Sequence, residues 1–569
     1  MSAHRVRSGE VSLAAWAQGP EDAPVVLLAH GYPDTHEVWA GVAGILAARY
    51  RVLTYDVRGC GESSAPASEG GYTLEALRGD LLAVLEALAP GKPVHLVGHD
   101  WGAIQHWETA TEPGTPLASF TAISGPCLDH VGHWARGLLK HPGASLEQLL
   151  KSWYVLAFQP PLLGRALWRT LGRAWPTVLR RLEGIESPAL PEGFSADAQR
   201  GVGLYRQNML QRLLKPRVRR AQCPVQLVTP LGDHFVSPHL ADAAEPFVEQ
   251  LWRREVEGGH WIVRTAPERV ARWIAEWVDF REGGPESHAL QQARVHGPRP
   301  GPLAVVTGAG SGIGRETALA LAESGCRVVI ADLDGAAAQR TAQLCSLVGA
   351  EATPVVVDVG DAAAMERFAA AVEREHGVPD VVINNAGIGL AGAFLDTTVA
   401  DWDKVLRVNL WGVIHGSRLF GRQMVARGQG GHIVNVASMA AFTPSKMLPA
   451  YSTSKAAVLM LTECLRAELA GDGIGVSAIC PGIIDTPITG ATRFVGQTAA
   501  QQERSRTEAQ RLYRKRNFTP RQVAARVMEA VQRDLAVVPV APEAHGAHLL
   551  SRLSPALMRR LAKLELTPH

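Results

Sequence analysis

Cysteine is scarce in this chain. There are seven in 569 residues (positions 60, 127, 223, 326, 345, 464 and 480), an odd number with no C-x-x-C pair. Such scatter offers neither a disulfide framework nor a zinc site, so a reducing, cytoplasmic setting without a bound metal is expected. An excess of one charge is also missing. A net charge of +2 gives no basic surface for a polyanion, and no nucleic-acid partner is expected. No apolar run approaches the roughly 18 to 20 residues that span a bilayer, and the opening MSAHRVRSGEVSL lacks the apolar centre of a secretory signal. Internal repeats of roughly 20 to 50 residues are absent as well, which excludes a solenoid.

What is present is ordinary globular composition, 46% hydrophobic and 20% charged, in a chain too long for one core. Apolar β-like runs alternate with helical stretches twice, the pattern of parallel sheets covered by helices on both faces. The first set is PVVLLAHG, RVLTYDVRG, PVHLVGHD, FTAISGP and PVQLVTPLG. The second is LAVVTGAG, RVVIADLD, PVVVDVGD, DVVINNAG, HIVNVAS and GVSAICPG. Between them REGGPESHALQQARVHGPRPGP is polar and rich in Gly and Pro, which predicts an exposed linker over 283–300. Two α/β domains follow, over 1–282 and 301–541, with a tail over 542–569.

In the first half, Gly98-His99-Asp100-Trp101-Gly102 follows a β run. A strand-to-helix turn projects its central side chain above the sheet, and small neighbours relieve the crowding. That side chain is Asp100. Carboxylate attack on an ester would give an unstable anhydride, but attack on saturated carbon gives an alkyl ester. The chemistry narrows to epoxides, alkyl halides and similar electrophiles. Hydrolysis of the ester needs a base, and His260 in VEGGHWI, oriented by Asp233 in LVTPLGDHF, stands in the order nucleophile, acid, histidine.

HGYPD (30–34), DVRGCGES (56–63), GHDWG and the contexts of Asp233 and His260 together resemble an α/β-hydrolase of the epoxide hydrolase type over residues 5–282. The resemblance implies a helical lid, about 127–220, whose two tyrosines protonate the epoxide oxygen. Only Tyr154 and Tyr205 lie between Asp100 and His260. It also implies an oxyanion hole from the backbone N–H groups of Tyr32 and Trp101. A haloalkane dehalogenase shares the aspartate and the following tryptophan, and a catalytically silent binding module is a further alternative.

In the second half, LAVVTGAGSGIGRE runs from strand to helix. The spacing of Thr307, Gly308, Gly312, Ile313 and Gly314 brings backbone N–H groups and a helix N-terminus towards a pyrophosphate. Asp332 ends the next strand, where a carboxylate accepts from ribose hydroxyls and repels a 2'-phosphate. Ser311 replaces the basic residue that often accompanies NADP, so NAD is expected over NADP. With NNAG (384–387), Asn409, Ser438 and Tyr451-x-x-x-Lys455, this half resembles the short-chain dehydrogenase/reductase family. Tyr451 and Lys455 share a helix face, so the ammonium can ease the phenol's work as base. By resemblance Ser438 holds the substrate oxygen and Asn409 anchors a relay water. Asp358 and Val359 meet adenine, Asn385, Ala386 and Gly387 line the cofactor, and Pro481, Gly482 and Thr486 of PGIIDT wrap the nicotinamide. The resemblance further implies a homo-oligomer through this domain.

The order of the halves resembles the fused epoxide hydrolases of the D type in actinobacteria, and a small lipophilic substrate is expected. The tail places Leu549, Leu550, Leu553, Leu557 and Leu561 at helical spacing with Arg552, Arg559, Arg560 and Lys563 between them. It is expected to pack on its own domain or a dimer partner, or else to rest on a membrane.

Overall fold

The computed structural model describes all residues except 138–141, 161, 187–189, 191–192 and 564–569. The chain divides into two compact units, Met1–Arg299 and Pro300–His569.

The first unit holds an eight-stranded sheet: β1 (Ser2–Ser8), β2 (Val11–Gln18), β3 (Val25–Ala29), β4 (Arg51–Tyr55), β5 (Val94–His99), β6 (Leu117–Ile123), β7 (Val225–Pro230) and β8 (Leu251–Val256). Their order is β1-β2-β4-β3-β5-β6-β7-β8. The strands from β4 to β8 are mutually parallel, and β3 (VVLLA) and β5 are buried along their whole length, as strands covered on both faces must be. β1 and β2 add an antiparallel edge that the sequence reading does not contain, because SAHRVRS carries no apolar run. Between β6 and β7 the described residues form helices from Leu128 to Leu214, including Trp153–Ala157, Leu163–Glu183 and Phe194–Leu214. The excepted residues before 193 fall inside the expected lid.

The second unit holds a parallel seven-stranded sheet: β9 (Leu303–Thr307), β10 (Arg327–Asp332), β11 (Ala352–Val356), β12 (Val381–Asn384), β13 (Gly431–Val436), β14 (Ile474–Pro481) and β15 (Val537–Val540). The order is β11-β10-β9-β12-β13-β14-β15. The order reverses beside β9, which is where open α/β sheets bind ligands. Apolar layers cover the sheet, one including Ala318, Leu321 and Val527, another Phe368, Phe420 and Met424.

Two expectations need correction. The segment 283–300 is not wholly an exposed linker. Residues His288–Ala293 are helical, and Leu290 is fully buried with Trp252 and Trp277. Glu286 accepts from the Trp252 indole at 2.9 Å, which ties the segment to β8. Two apolar positions in a polar run suffice, once a pair of tryptophans covers them. The tail is not one helix either. It breaks into Pro542–Leu553 and Pro555–Leu561, because Pro555 starts a new helix capped by the Ser554 hydroxyl. Residues 564–569 of the tail lie outside the described residues. Among the described residues no helix is long and apolar enough to cross a membrane, and no cluster of three metal-binding side chains occurs.

Candidate active sites

β5 runs into the helix Trp101–Ala110 through Asp100, at φ 52° and ψ −123°, a conformation that L-residues rarely adopt. Small neighbours make it possible. A Cβ at Gly98 would lie 2.5 Å from Ala103 N, one at Gly102 2.2 Å from Ala29 O, and one at Gly31 2.5 Å from Asp100 Cβ. Asp100 Oδ1 accepts the backbone N–H of Tyr32 at 2.9 Å. Trp101 opens the helix, so its N–H has no intrahelical acceptor. His260, in the loop after β8, places Nε2 3.5 Å from Asp100 Oδ2 and Nδ1 2.8 Å from Asp233 Oδ2. Asp233 also accepts the N–H groups of Phe235 and Val236 at 2.8 and 2.9 Å. Burial works to raise the Asp233 carboxyl, but His260 and those amides outweigh it and hold it below the usual range. Burial likewise works to lower His260, and Asp233 and Asp100 outweigh it, leaving the imidazole well above its ordinary value.

Tyr154, on Trp153–Ala157, and Tyr205, on Phe194–Leu214, face each other with ring centroids 5.9 Å apart. The Trp101 ring lies 4.9 Å from Tyr205, edge to face. Burial, reinforced by the Asp100 charge, raises both phenols far above the usual 10, so both stay protonated at neutral pH. Phe158 and Phe235 complete an aromatic wall, the first 5.8 Å and the second 5.9 Å from Tyr154.

Two carboxylates here escape the sequence reading. Glu183, at the end of Leu163–Glu183, accepts the N–H groups of His260 and Trp261, each at 3.1 Å. Asp34 accepts the Trp261 indole N–H at 2.7 Å. The glycine before His260 was the available signal: a Cβ at Gly259 would lie 2.2 Å from Glu183 Oε2.

In the second unit the loop Thr307–Gly314 joins β9 to the helix Gly312–Glu323, with Gly308 and Gly312 at φ 63° and 56°. Ser311 stands at the N-cap position of that helix without a side-chain capping bond, and Ile313 packs on the adjoining core. Thr307 Oγ1 accepts from the amides of Asn385 and Ala386 at 3.1 and 3.3 Å, while Asn385 Nδ2 donates to the carbonyls of Thr307 and Gly308, both at 3.0 Å. NNAG is thereby locked to the glycine loop. Asp332 Oδ2 accepts the Gly310 N–H at 2.8 Å. A Cβ at Gly314 would strike Gly308 O at 2.2 Å, and one at Gly312 would touch Thr486 at 3.5 Å. The open backbone a pyrophosphate needs is therefore present. Pro481 ends β14, and beyond Gly482 the Ile483 N–H is held by Glu543 at 2.9 Å, a brace from the first turn of the tail that the motifs do not disclose. Asp358 and Val359 follow β11; Asp358 Oδ1 accepts the Gly360 N–H at 2.9 Å, and Val359 is buried.

Tyr451 and Lys455 share the helix Pro449–Leu469, with Nζ 5.9 Å from the Tyr451 ring centroid. Lys455 Nζ donates to Val436 O at 2.8 Å, and burial lowers its pKa to about 8. Asn409 sits in a π-turn, Arg407–Trp411, a local widening that often marks functional sites. Its side chain pairs with both backbone groups of Ile388, at 2.8 and 3.0 Å. A Cβ at Gly387 would come within 3.3 Å of Asn409 Oδ1 and 3.5 Å of Lys455 Nζ, so this backbone gathers the two. Ser438 Oγ accepts the Ala440 N–H at 3.2 Å, which leaves its own O–H to donate.

Comparison with known proteins matches both units. The family model for the alpha/beta hydrolase fold covers residues 24–163, and that for short chain dehydrogenase covers residues 302–494. The "Probable oxidoreductase EphD" of Mycobacterium tuberculosis, and that of Mycobacterium bovis, are 41% identical over 574 residues, covering 97% of this chain and 97% of each relative. This chain belongs to the EphD family. An EphD-type chain is thus an oxidoreductase in which an α/β-hydrolase precedes a nicotinamide-dependent dehydrogenase fold. The EphD half that binds the nucleotide is also similar to the galactitol 2-dehydrogenase (L-tagatose-forming) of Cereibacter sphaeroides, 45% identical over 33% of this chain and 74% of that protein.

Proposed function

We propose that the first unit hydrolyses a lipophilic epoxide to a vicinal diol through an ester on Asp100. The observation that carries this is the pair of protonated phenols, Tyr154 and Tyr205, standing with the Asp100–His260–Asp233 array. Asp100 Oδ2 attacks a ring carbon, the C–O bond breaks, and a phenol delivers its proton to the departing oxygen. Oδ1, already held by the Tyr32 N–H, becomes the ester carbonyl oxygen, where that donor and the Trp101 N–H stabilise the later oxyanion. Ester formation removes the Asp100 charge that had raised His260, so the imidazole becomes a better source of neutral base just when water must be deprotonated. With the Asp100 charge gone, His260 passes its proton through solvent to the phenolate and then takes one proton from the water that attacks the ester carbonyl carbon; the ester C–O bond breaks, the other proton goes to the departing diol oxygen, and the Asp100 carboxylate and the imidazolium are restored. Halide release is less well served, since a halide leaving group needs no proton donor and would have no use for two protonated phenols. In His260→Gln, mass spectrometry of the active-site peptide should find an alkyl adduct on Asp100. Diol formation with no adduct there would overturn the reading.

In the second unit Tyr451 serves as base towards a secondary alcohol, Ser438 donates to the alcohol oxygen, Lys455 supports the phenolate, and Asn409 holds the backbone of Ile388 and a relay water. A bound nicotinamide supplies the hydride acceptor. Thr307–Gly314, Asn385–Gly387 and Pro481–Thr486 hold it, and the Asp332 carboxylate favours NAD over NADP by repelling a 2'-phosphate. A vicinal diol is an alcohol of the required kind, so the two reactions can follow one another. Epoxide supplied with NAD should yield hydroxyketone, and Tyr451→Phe should stop at diol; diol that is never oxidised while other alcohols are would separate the two activities.

A further inference from the structure

The tail repeats a five-residue pattern. Leu549-Leu550-Ser551-Arg552-Leu553 and Leu557-Met558-Arg559-Arg560-Leu561 lie on successive helices, on either side of the break at Ser554. In each, the first and last leucines share a face at i and i+4, and that face is outward. Leu549 and Leu553 are 61% and 75% exposed, and Leu557 and Leu561 44% and 40%. The second position points inward, with Met558 buried and Leu550 half-buried. The inward side is anchored on the segment between Ser438 and Tyr451: His548 stacks on Phe442 at 4.7 Å, and Lys446 Nζ donates to Lys563 O at 2.9 Å. Next to Lys446, Met447 is exposed, and its carbonyl accepts the Gly392 N–H at 2.7 Å, just before exposed Phe394 and Leu395.

Arg552, Arg559, Arg560 and Lys563 are all exposed beside these leucines, and no Asp or Glu occurs from Ala544 to Lys563. From another element, Glu463 acts on His548. A second copy packed on this face by a two-fold axis would oppose like charges without compensation, whereas an anionic lipid surface matches both the leucines and the cations.

We propose that the helix pair Pro542–Leu561 lies on an anionic lipid surface and holds the mouth of the dehydrogenase site, at Met439–Pro449, against it. The test is co-sedimentation of the full chain with vesicles of phosphatidylcholine, with and without phosphatidylglycerol. Binding should require the anionic lipid and fall with salt. Leu553→Ser with Leu557→Ser should weaken it by roughly tenfold per leucine, and replacing the four cations by Gln by about fivefold per charge. These side chains are already exposed, so unchanged circular dichroism and melting will show that the variants are folded. Equal binding to neutral vesicles, no binding to anionic ones, or leucine variants that sediment like the wild type would overturn the proposal. So would light scattering in which those variants only convert a dimer to a monomer.

Discussion

In the first unit the proposed nucleophile stands on strained backbone, Asp100 at φ 52°, whereas in the second Tyr451, Lys455 and Asn409 all stand on helical backbone. In the second unit's loop Thr307–Gly314 the left-handed conformations fall on Gly308 and Gly312. The difference follows from what meets the ligand. A nucleophile must project a side chain from the turn itself, so a non-glycine residue bears a strain of order 1 to 3 kcal/mol that the surroundings offset. A pyrophosphate is met by the turn's own N–H groups, so a side chain there would only obstruct. The hydrolase array is also complete within the chain, each charged member bonded to another, while the dehydrogenase presents an open cradle.

The sharpest way to break this comparison is to delete one reactive group at a time. Asp100→Asn should abolish diol formation, by at least about a thousandfold, with alcohol oxidation untouched. Tyr451→Phe should do the reverse, and loss of both activities in either variant would show the two sites to be coupled. Glycine replacement comes next. Gly102→Ala places a Cβ 2.2 Å from Ala29 O, a rigid backbone atom, and should destabilise the first unit by about 3 kcal/mol. Twelve of the fourteen tryptophans lie in that unit, so indole fluorescence reads it selectively. By contrast, Gly310→Ala would meet Ala337 Cβ at 2.7 Å and Asp332 Oδ2 at 2.9 Å, and should weaken NAD binding more than folding. Asp332→Ala should cut the preference for NAD over NADP by about tenfold, the worth of a hydrogen bond to a charged group; an unchanged ratio of kcat/KM would refute its role.

Titration separates the halves further. Because burial and Asp100 raise Tyr154 and Tyr205, the alkaline fall in kcat/KM for epoxide should begin above pH 10 rather than below it. The smallest effect is on stability. His106 and His130 in the first unit are lowered by burial to about 3 and about 4. Unfolded, each titrates near 6.5, so from there down to about 4 the unfolded chain binds more protons and folding loses about 1.4 kcal/mol per pH unit for each. His260, raised, stabilises fully below about pH 6.5 and loses that contribution only as pH rises, so it adds no slope in this acid window. His432, lowered to about 4, is the second unit's counterpart, so tryptophan fluorescence should show the first unit unfolding earlier on acidification.

Local geometry explains how much was legible. The turn at Asp100, the glycine loop and the Tyr451–Lys455 face are each set by residues within a few positions, where spacing alone fixes which side chains can point together. From these the two folds and the family could be read. The sequence by itself therefore determined which residue types stand at each turn and on each helix face. Partners separated by long stretches of chain carry no such signal. Glu183 beneath the His260 loop, Asp34 on Trp261 and Glu543 on the Ile483 amide are brought in by packing. So are the docking of Leu290 under Trp252 and the antiparallel edge of β1 and β2. The tertiary structure alone decided that the Trp101 ring packs on Tyr205 and that the tail leucines face outward. A helical period states that one face is apolar; which face is covered depends on surfaces that meet only once the chain has folded.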